Sequence, residues 1–427
     1  MIKIDGLIHW GRATYSPLFL CTALVLVANP LCAAQPGETI TVEGLRYTQF
    51  GFYFHVEPTG YEDDEDFIRF TEKIKTNLLW SGMYRFTPDA RNSTLSIRLR
   101  YMSGQKIEAH IDSRWGSRFI TFKKSLLHNK TQVLQHTIDQ IVYHLTGERS
   151  FLGNAIIYVE KGDFPGYRIV LTDLYGKRRR VLVEDGNLNI LPRWKPDATS
   201  VLFTSLGKSG SQLKQFSFLN NRVETFLSSQ HKFSGGTWGN HQEIIVTIAK
   251  DGNSDLYRIN QKGRILERLT RRTSTESNPR WSPDGKRLVF ISNRSGSIQI
   301  YQRNMETGKV YRMTYESGRN VDPNWSSNGA YIVFAGIRNG RYQIFLMDRE
   351  GEYVQQITDG PHSSEQPVWA PSGRQILFVQ KKGSDSKLYI MNVDGRATRR
   401  VTQSGPGISE FNPTWTANFQ WESGSRY

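Results

Sequence analysis

Six tryptophans recur at nearly constant spacing from residue 194 to residue 415, and this ladder constrains the fold more than any other feature. Trp194, Trp238, Trp281, Trp325, Trp369 and Trp415 lie 44, 43, 44, 44 and 46 residues apart. Their surroundings repeat too, as in Asn278-Pro279-Arg280-Trp281-Ser282-Pro283-Asp284-Gly285, Asp322-Pro323-Asn324-Trp325, Gln366-Pro367-Val368-Trp369-Ala370-Pro371 and Asn412-Pro413-Thr414-Trp415. Seven residues past four of the tryptophans an apolar strand begins, at Val201, Leu288, Ile332 and Ile376. Tyr301, Phe345 and Tyr389 mark a second strand 20 residues past three of them. Leu182, Leu269, Met313 and Ile357 mark a short third strand 12 residues before four.

Each repeat therefore holds about four short strands separated by Pro-Asp-Gly, Asn-Gly or Thr-Gly turns. One such sheet cannot bury both of its faces. Stacking neighbours in a ring solves this and leaves only short edges. The prediction is a β-propeller, with the tryptophans as core between blades and the Pro-Asp-Gly aspartates as turn residues. Upstream of Trp194, Ala155 to Val159, Tyr167 to Leu171 and Arg180 to Val183 supply three strands of a blade that lacks a tryptophan strand. The strand of Trp415 is expected to complete it, closing a ring of six. The second repeat, Gln230 to Tyr257, departs most from the pattern, with Gly236 where proline is expected.

Residues 35–150 show no such ladder and read as a separate α/β domain. Phe67, Phe70, Ile74 and Leu78 have helical spacing across Asp64 to Trp80. A first strand is expected over Thr41 to Phe54, and further strands around Leu95 to Leu99, Ile107 to Ile111 and Phe119 to Phe122. A second helix is expected from Asn129 to Leu145, stopped by Gly147. The whole reading is multidomain: a leader over 1–34, an N-terminal α/β domain over 35–150, and an all-β six-bladed β-propeller over 151–427.

The leader reading rests on Lys3 and Arg12, an apolar run from Leu18 to Ala28, the breaker Asn29-Pro30 and the small residues before Gln35. This is the order of a secretory signal peptide cleaved after Ala34. The run is too short to span a bilayer easily. Both cysteines, Cys21 and Cys32, fall inside it. A mature chain without cysteine suits a bacterial periplasm. The formal charge of +15 suits an anionic envelope surface better than nucleic acid in an exported protein.

No hydrolase elbow, zincin, phosphate-loop or dinucleotide fingerprint occurs, so no catalytic residue, metal or cofactor is assigned. His128, His136 and His144 are too far out of phase to pair on a helix. Lys177 to Arg180 and Arg399-Arg400 read as solvated strand edges.

Two segments resemble a known family. Ile74-Lys75-Thr76-Asn77-Leu78-Leu79-Trp80-Ser81-Gly82-Met83-Tyr84-Arg85 is similar to the helix ending in Ser-Gly-aromatic of TolB proteins, the periplasmic propellers of the Tol-Pal envelope system. His136 to Thr146-Gly147-Glu148-Arg149, followed by Ala155-Ile156-Ile157-Tyr158-Val159, resembles the domain junction of that family. The resemblance implies a non-enzymatic adaptor that supports outer-membrane integrity and constriction at division. It implies binding of the peptidoglycan-associated lipoprotein Pal over a funnel formed by the loops before each Pro-x-Trp unit. Those positions are Lys232, Phe233, Ser234 and Gly235; Glu276, Ser277 and Asn278; Asn320, Val321 and Asp322; Glu365 and Gln366; and Glu410, Phe411 and Asn412. It also implies that an N-terminal tail, Gln35, Pro36, Gly37, Glu38 and Thr39, engages the inner-membrane protein TolA. The alternative is an exported propeller that binds a glycan or a polyanion.

Overall fold

The structure, a computed structural model, describes strands between 39 and 123, helical positions between 68 and 78, and residues 154–416 with a few gaps between strands, plus Phe419 and Trp421. The predicted leader over 1–34, the tail residues Gln35 to Glu38 and the predicted helix over 129–145 with its histidines lie outside the described residues.

Six four-stranded antiparallel sheets follow one another from residue 155. Counting from the N-terminal side, their inner strands are Ser409–Thr416, Leu188–Trp194, Lys232–Trp238, Glu276–Trp281, Asn320–Trp325 and Ser363–Trp369. Each touches the next, and Ser363–Trp369 touches Ser409–Thr416, so the ring is closed. Closure happens as expected: Ser409–Thr416 pairs antiparallel with Ala155–Lys161, Trp415 opposite Ile156, and joins the sheet of the first blade. The degenerate second repeat becomes the third blade.

The tryptophans do the packing their spacing suggests. Trp194 sits among Ile157 and Leu171 of the first blade and Phe203 of the second. Trp325 fills the same place between the fourth and fifth blades, and Trp369 between the fifth and sixth. Five of the six are buried and Trp281 is half-buried. A stacked or tilted aromatic pair recurs beside them, Phe290–Tyr301, Phe334–Phe345 and Phe378–Tyr389, with ring centroids 6.1, 5.4 and 6.0 Å apart.

A polar device recurs at the outer strands. Thr270, Thr314 and Thr358 each accept the backbone N–H of Leu256, Ile300 and Ile344 through Oγ1. Each hydroxyl then donates to Asp255, Gln299 or Gln343. Leu269, Met313 and Ile357 therefore fall one residue past the ends of the outer strands Ile265–Arg268, Val310–Arg312 and Val354–Gln356, not within them. Their N–H groups still bond inward, to Leu256, Ile300 and Ile344.

Nearer the N-terminus a five-stranded mixed sheet has the order Tyr84–Phe86, Phe50–Val56, Leu95–Met102, Lys106–Ser113, Gly116–Lys123. The first three strands run parallel and the last three pair antiparallel. Ile74 and Leu78 of the helix and Ile97 of the sheet are fully buried. The single strand expected over 41–54 is instead divided. Thr39–Val42 pairs with Leu45–Thr48, leaving Glu43-Gly44 between them, while Phe50–Val56 joins the larger sheet. Glycine in a two-residue connection favours such a reversal over a continuous strand.

Candidate functional site

The positions assigned to loops before Pro-x-Trp are not loops. They form the first half of each inner strand, and their pairing skips: Ser277 opposes Ile291 while Arg280 opposes Val289. Three steps on one strand match two on the other, a β-bulge. The same skip recurs in all six inner strands. The bulged residue, three before the tryptophan, has positive φ in every blade: Leu191, Gly235, Asn278, Asp322, Gln366 and Asn412, at 54, 70, 53, 53, 54 and 49°. Proline follows in five of the six. It fits there because an interrupted ladder asks no N–H of it.

The bulge sorts the assigned residues into two kinds. Five residues before the tryptophan, Asn189, Phe233, Glu276, Asn320, Ser364 and Glu410 are buried. Glu276 pairs with Arg294 at 3.1 Å and accepts from Ser274 and Ser292. Asn320 donates to Gln299 at 2.8 Å, and Glu410 accepts the Leu388 N–H at 3.0 Å and the Thr402 hydroxyl. Glu276 is committed within its own blade, Asn320 and Glu410 bond across to the preceding blade, and Phe233 lies in a core cluster, so these four are corrected from exposed loop residues to buried strand residues. Gly235 is buried as well.

The remaining positions are less buried, although Val321 and Phe411 pack against the cores between blades. Lys232 and Ser234 are exposed, and Ser277, Asn278, Val321, Asp322, Glu365, Gln366, Phe411 and Asn412 are half-buried. The bulged residues form a belt from blade to blade. Asn278 donates to the Asp322 carboxylate at 2.7 Å. The Gln366 N–H also donates to Asp322. The Asn412 N–H donates to the Gln366 side chain at 2.6 Å, and the Leu191 N–H to Asn412 at 3.2 Å. Burial pushes the Asp322 carboxyl up against the opposing pull of Arg280, Asn278 and Gln366. It also raises Glu365, which Lys381 opposes and Asp322 reinforces.

Leu191 completes the ring of six, and sequence reasoning missed it although Leu191-Pro192-Arg193-Trp194 holds proline at the same offset. The basic runs also need correction. Arg179 reaches the fully buried Glu160 at 2.6 Å, Arg399 donates to the Leu174 carbonyl at 2.9 Å, and Arg178 lies over the Trp421 ring. These cations are anchored to the first and sixth blades rather than merely solvated. Of the tail, only Thr39 is described, in its strand opposite Thr48. Among the described residues no group of three His, Cys, Asp or Glu is placed to hold a metal, and no helix is long and apolar enough to cross a membrane.

A closed ring of six sheets, with a bulged residue on every inner strand and polar side chains there in four of them, defines a β-propeller scaffold. The TolB beta propeller domain family matches residues 142–418, well over half of the chain, and the chain belongs to that family. It is 28% identical over 155 residues to the Protein TolB homolog of Chlorobium luteolum, 36% of this chain and 35% of that one. It is 25% identical over 164 residues to the Tol-Pal system protein TolB of Ruthia magnifica, 36% of this chain and 38% of that one. The chain thus spans little more than a third of the length of the curated relatives it matches. The crystal structure of TolB from Acinetobacter baumannii superposes with a TM-score of 0.71 at 18% identity, over 87% of this chain and 97% of that one, which shows a shared fold.

Proposed function

We propose that this protein is a non-enzymatic adaptor of a Tol-Pal envelope system. In this reading residues 1–34 direct export to the periplasm, 35–150 form the N-terminal domain and 151–427 the propeller. Pal seats over the rim where the inner strands begin. Ser234, Ser277, Glu365 and Phe411, with the half-buried belt residues, make the contact. The tail from Gln35 to Thr39 engages TolA or another inner-membrane Tol protein.

The observation that carries this reading is the family match across the propeller, joined to a belt of polar residues in four of the six blades, Asn278, Asp322, Gln366 and Asn412. Short polar side chains on a rigid rim present many hydrogen-bonding groups to one protruding segment. Titration calorimetry of the purified protein against the periplasmic domain of Pal from the same organism tests it. Expected is binding that weakens on Glu365→Lys. No binding at tens of micromolar overturns the reading.

A further inference from the structure

The turns that lead into the outer strands differ in charge around the ring. In the sixth, first and second blades those strands are Arg399–Arg400, Arg180–Val183 and Arg222–Ser228. The turns and the strand ends they reach hold Lys177 to Arg180, Arg222, Arg396 and Arg399-Arg400. The carboxylates there are Asp173, Asp394 and, two residues past Arg222, Glu224. Asp173 is buried, and its side chain accepts the N–H groups of Tyr175 and Lys177. The matching turns of the fourth and fifth blades hold Glu306, Asp348, Glu350 and Glu352 against Lys309 and Arg349. One sector of this end of the ring is therefore basic, and the acidic residues gather across from it.

The three basic turns adjoin one another. Arg399 donates to the Leu174 carbonyl at 2.9 Å, which ties the sixth blade to the turn of the first. Arg180 donates to Asn221 Oδ1 at 3.0 Å, which ties the first blade to the turn of the second. Glu160 takes up the charge of Arg179. Lys177, Arg178 and Arg396 make no ion pair among the described residues. Lys177 and Arg396 are exposed, and Arg178 lies over the half-buried Trp421 ring, 5.5 Å from its centroid. In the second blade's turn Leu219 is 84% exposed, more than any other large hydrophobic residue described. Phe218 beside it stacks on Trp194, which ends its inner strand, with ring centroids 5.3 Å apart. The surface thus lies where the inner strands finish, away from the rim where they begin. An exposed aliphatic side chain beside a row of cations matches an interface that is anionic at its surface and apolar just beneath.

We propose that this surface docks on an anionic phospholipid bilayer, with the cations on headgroup phosphates and Leu219 entering the boundary with the acyl chains. The inference goes beyond the adaptor reading and does not rest on it. Charge sets the sign of the partner. Leu219 selects a lipid surface over a soluble polyanion, which would leave it in water. Arg178 and Trp421 fit the same placement, because an indole ring is favoured at the level of the headgroups. A bilayer met at this end leaves the opposite rim open, so lipid and a protein partner can be bound at the same time.

The test is co-sedimentation of the purified protein with two kinds of vesicle, phosphatidylethanolamine with phosphatidylglycerol, and phosphatidylcholine alone. The second kind reports any attraction that does not depend on charge, including that of the apolar run from Leu18 to Ala28. Expected is a partition onto the anionic vesicles about tenfold or more above that onto phosphatidylcholine, falling as salt is raised. Each cation near an anionic surface contributes about fivefold, so Lys177→Gln, Arg178→Gln and Arg396→Gln together should lower the partition about tenfold or more. Leu219→Ser should lower it about threefold or more. Lys208, Lys250 and Lys382 are exposed in hairpin turns at the other end of the ring. Their combined replacement by glutamine removes the same charge and should leave the partition nearly unchanged. Thermal melts show that each variant is folded. Equal partition onto the two kinds of vesicle, or equal loss in the two triple variants, overturns the proposal. A loss in the Lys177, Arg178 and Arg396 variant with none in Leu219→Ser overturns the lipid assignment, and binding of dextran sulfate would then mark the surface as a polyanion site.

Discussion

At the residue scale, polarity is a poor guide to availability in this protein. Glu276 and Glu410 look in the sequence like rim residues, yet both are fully buried and bonded within the blades. Removing Glu276 leaves Arg294, itself largely buried, without its counter-charge. Glu276→Ala is therefore expected to cost about 3–5 kcal/mol, measured by chemical denaturation, and any loss of partner binding in that variant reports folding. Asp185 shows the reverse case, an exposed carboxylate that matters to the fold. Burial opposes its ionisation, but hydrogen bonds from Asn189, Asn187 and Lys214 outweigh that and hold its pKa at about 2. An unfolded aspartate titrates near ~3.9. The contribution is complete above that value and is lost as pH falls toward the folded one. Melting temperatures of the wild type and Asp185→Asn should therefore differ at neutral pH and converge between about pH 4 and 2. A constant gap across that range would contradict the assignment.

At the element scale, much was legible and the rest was hidden for a physical reason. The tryptophan ladder, the apolar second strands and the turn residues specify blades because each answers a local requirement: core volume, β-propensity or reversal. Proline two residues before the tryptophan was visible too, but not its cause. The bulge is a relation between two strands, and the left-handed residue it needs is asparagine or aspartate at three positions and glycine at one, all types that tolerate positive φ. Leu191 and Gln366 do not announce it, and Leu191 went unnoticed for that reason. Likewise Leu269, Met313 and Ile357 mark the third strand in the sequence because they are apolar, whereas the threonine after each carries the structural signal. Thr314→Val keeps the shape and strips the hydroxyl that serves both the Ile300 N–H and Gln299. The expected loss is about 1–3 kcal/mol from the unsatisfied groups, seen as a lowered denaturation midpoint with unchanged slope.

At the scale of the whole molecule, the ring depends on one strand that arrives last. Ser409–Thr416 supplies the inner edge of the first blade, and Trp415 fills the core it shares with the sixth. Beyond it Phe419 packs on Trp194 and Phe218, with ring centroids 5.5 and 4.9 Å away. A chain ending at 408 leaves the first blade with three strands and two exposed edges. It is expected to lose the single cooperative thermal transition of the intact ring, as followed by tryptophan fluorescence. The six-fold closure was legible from spacing alone. The interruption of the belt at Leu191 and Gly235, where the Gly235 N–H turns to Thr204 Oγ1, was not, because a missing acceptor is noticed only once its neighbours are seen to supply one.

The most direct test of the account is where Pal touches the ring. A photoreactive benzoylphenylalanine is placed either at Ser234, exposed on the rim where the inner strands begin, or at Tyr311, exposed on the outer strand of the fourth blade. Irradiation with the periplasmic domain of Pal is expected to give a cross-linked adduct from position 234 and none from 311. An adduct from 311 with none from 234 would contradict the assignment of the binding face.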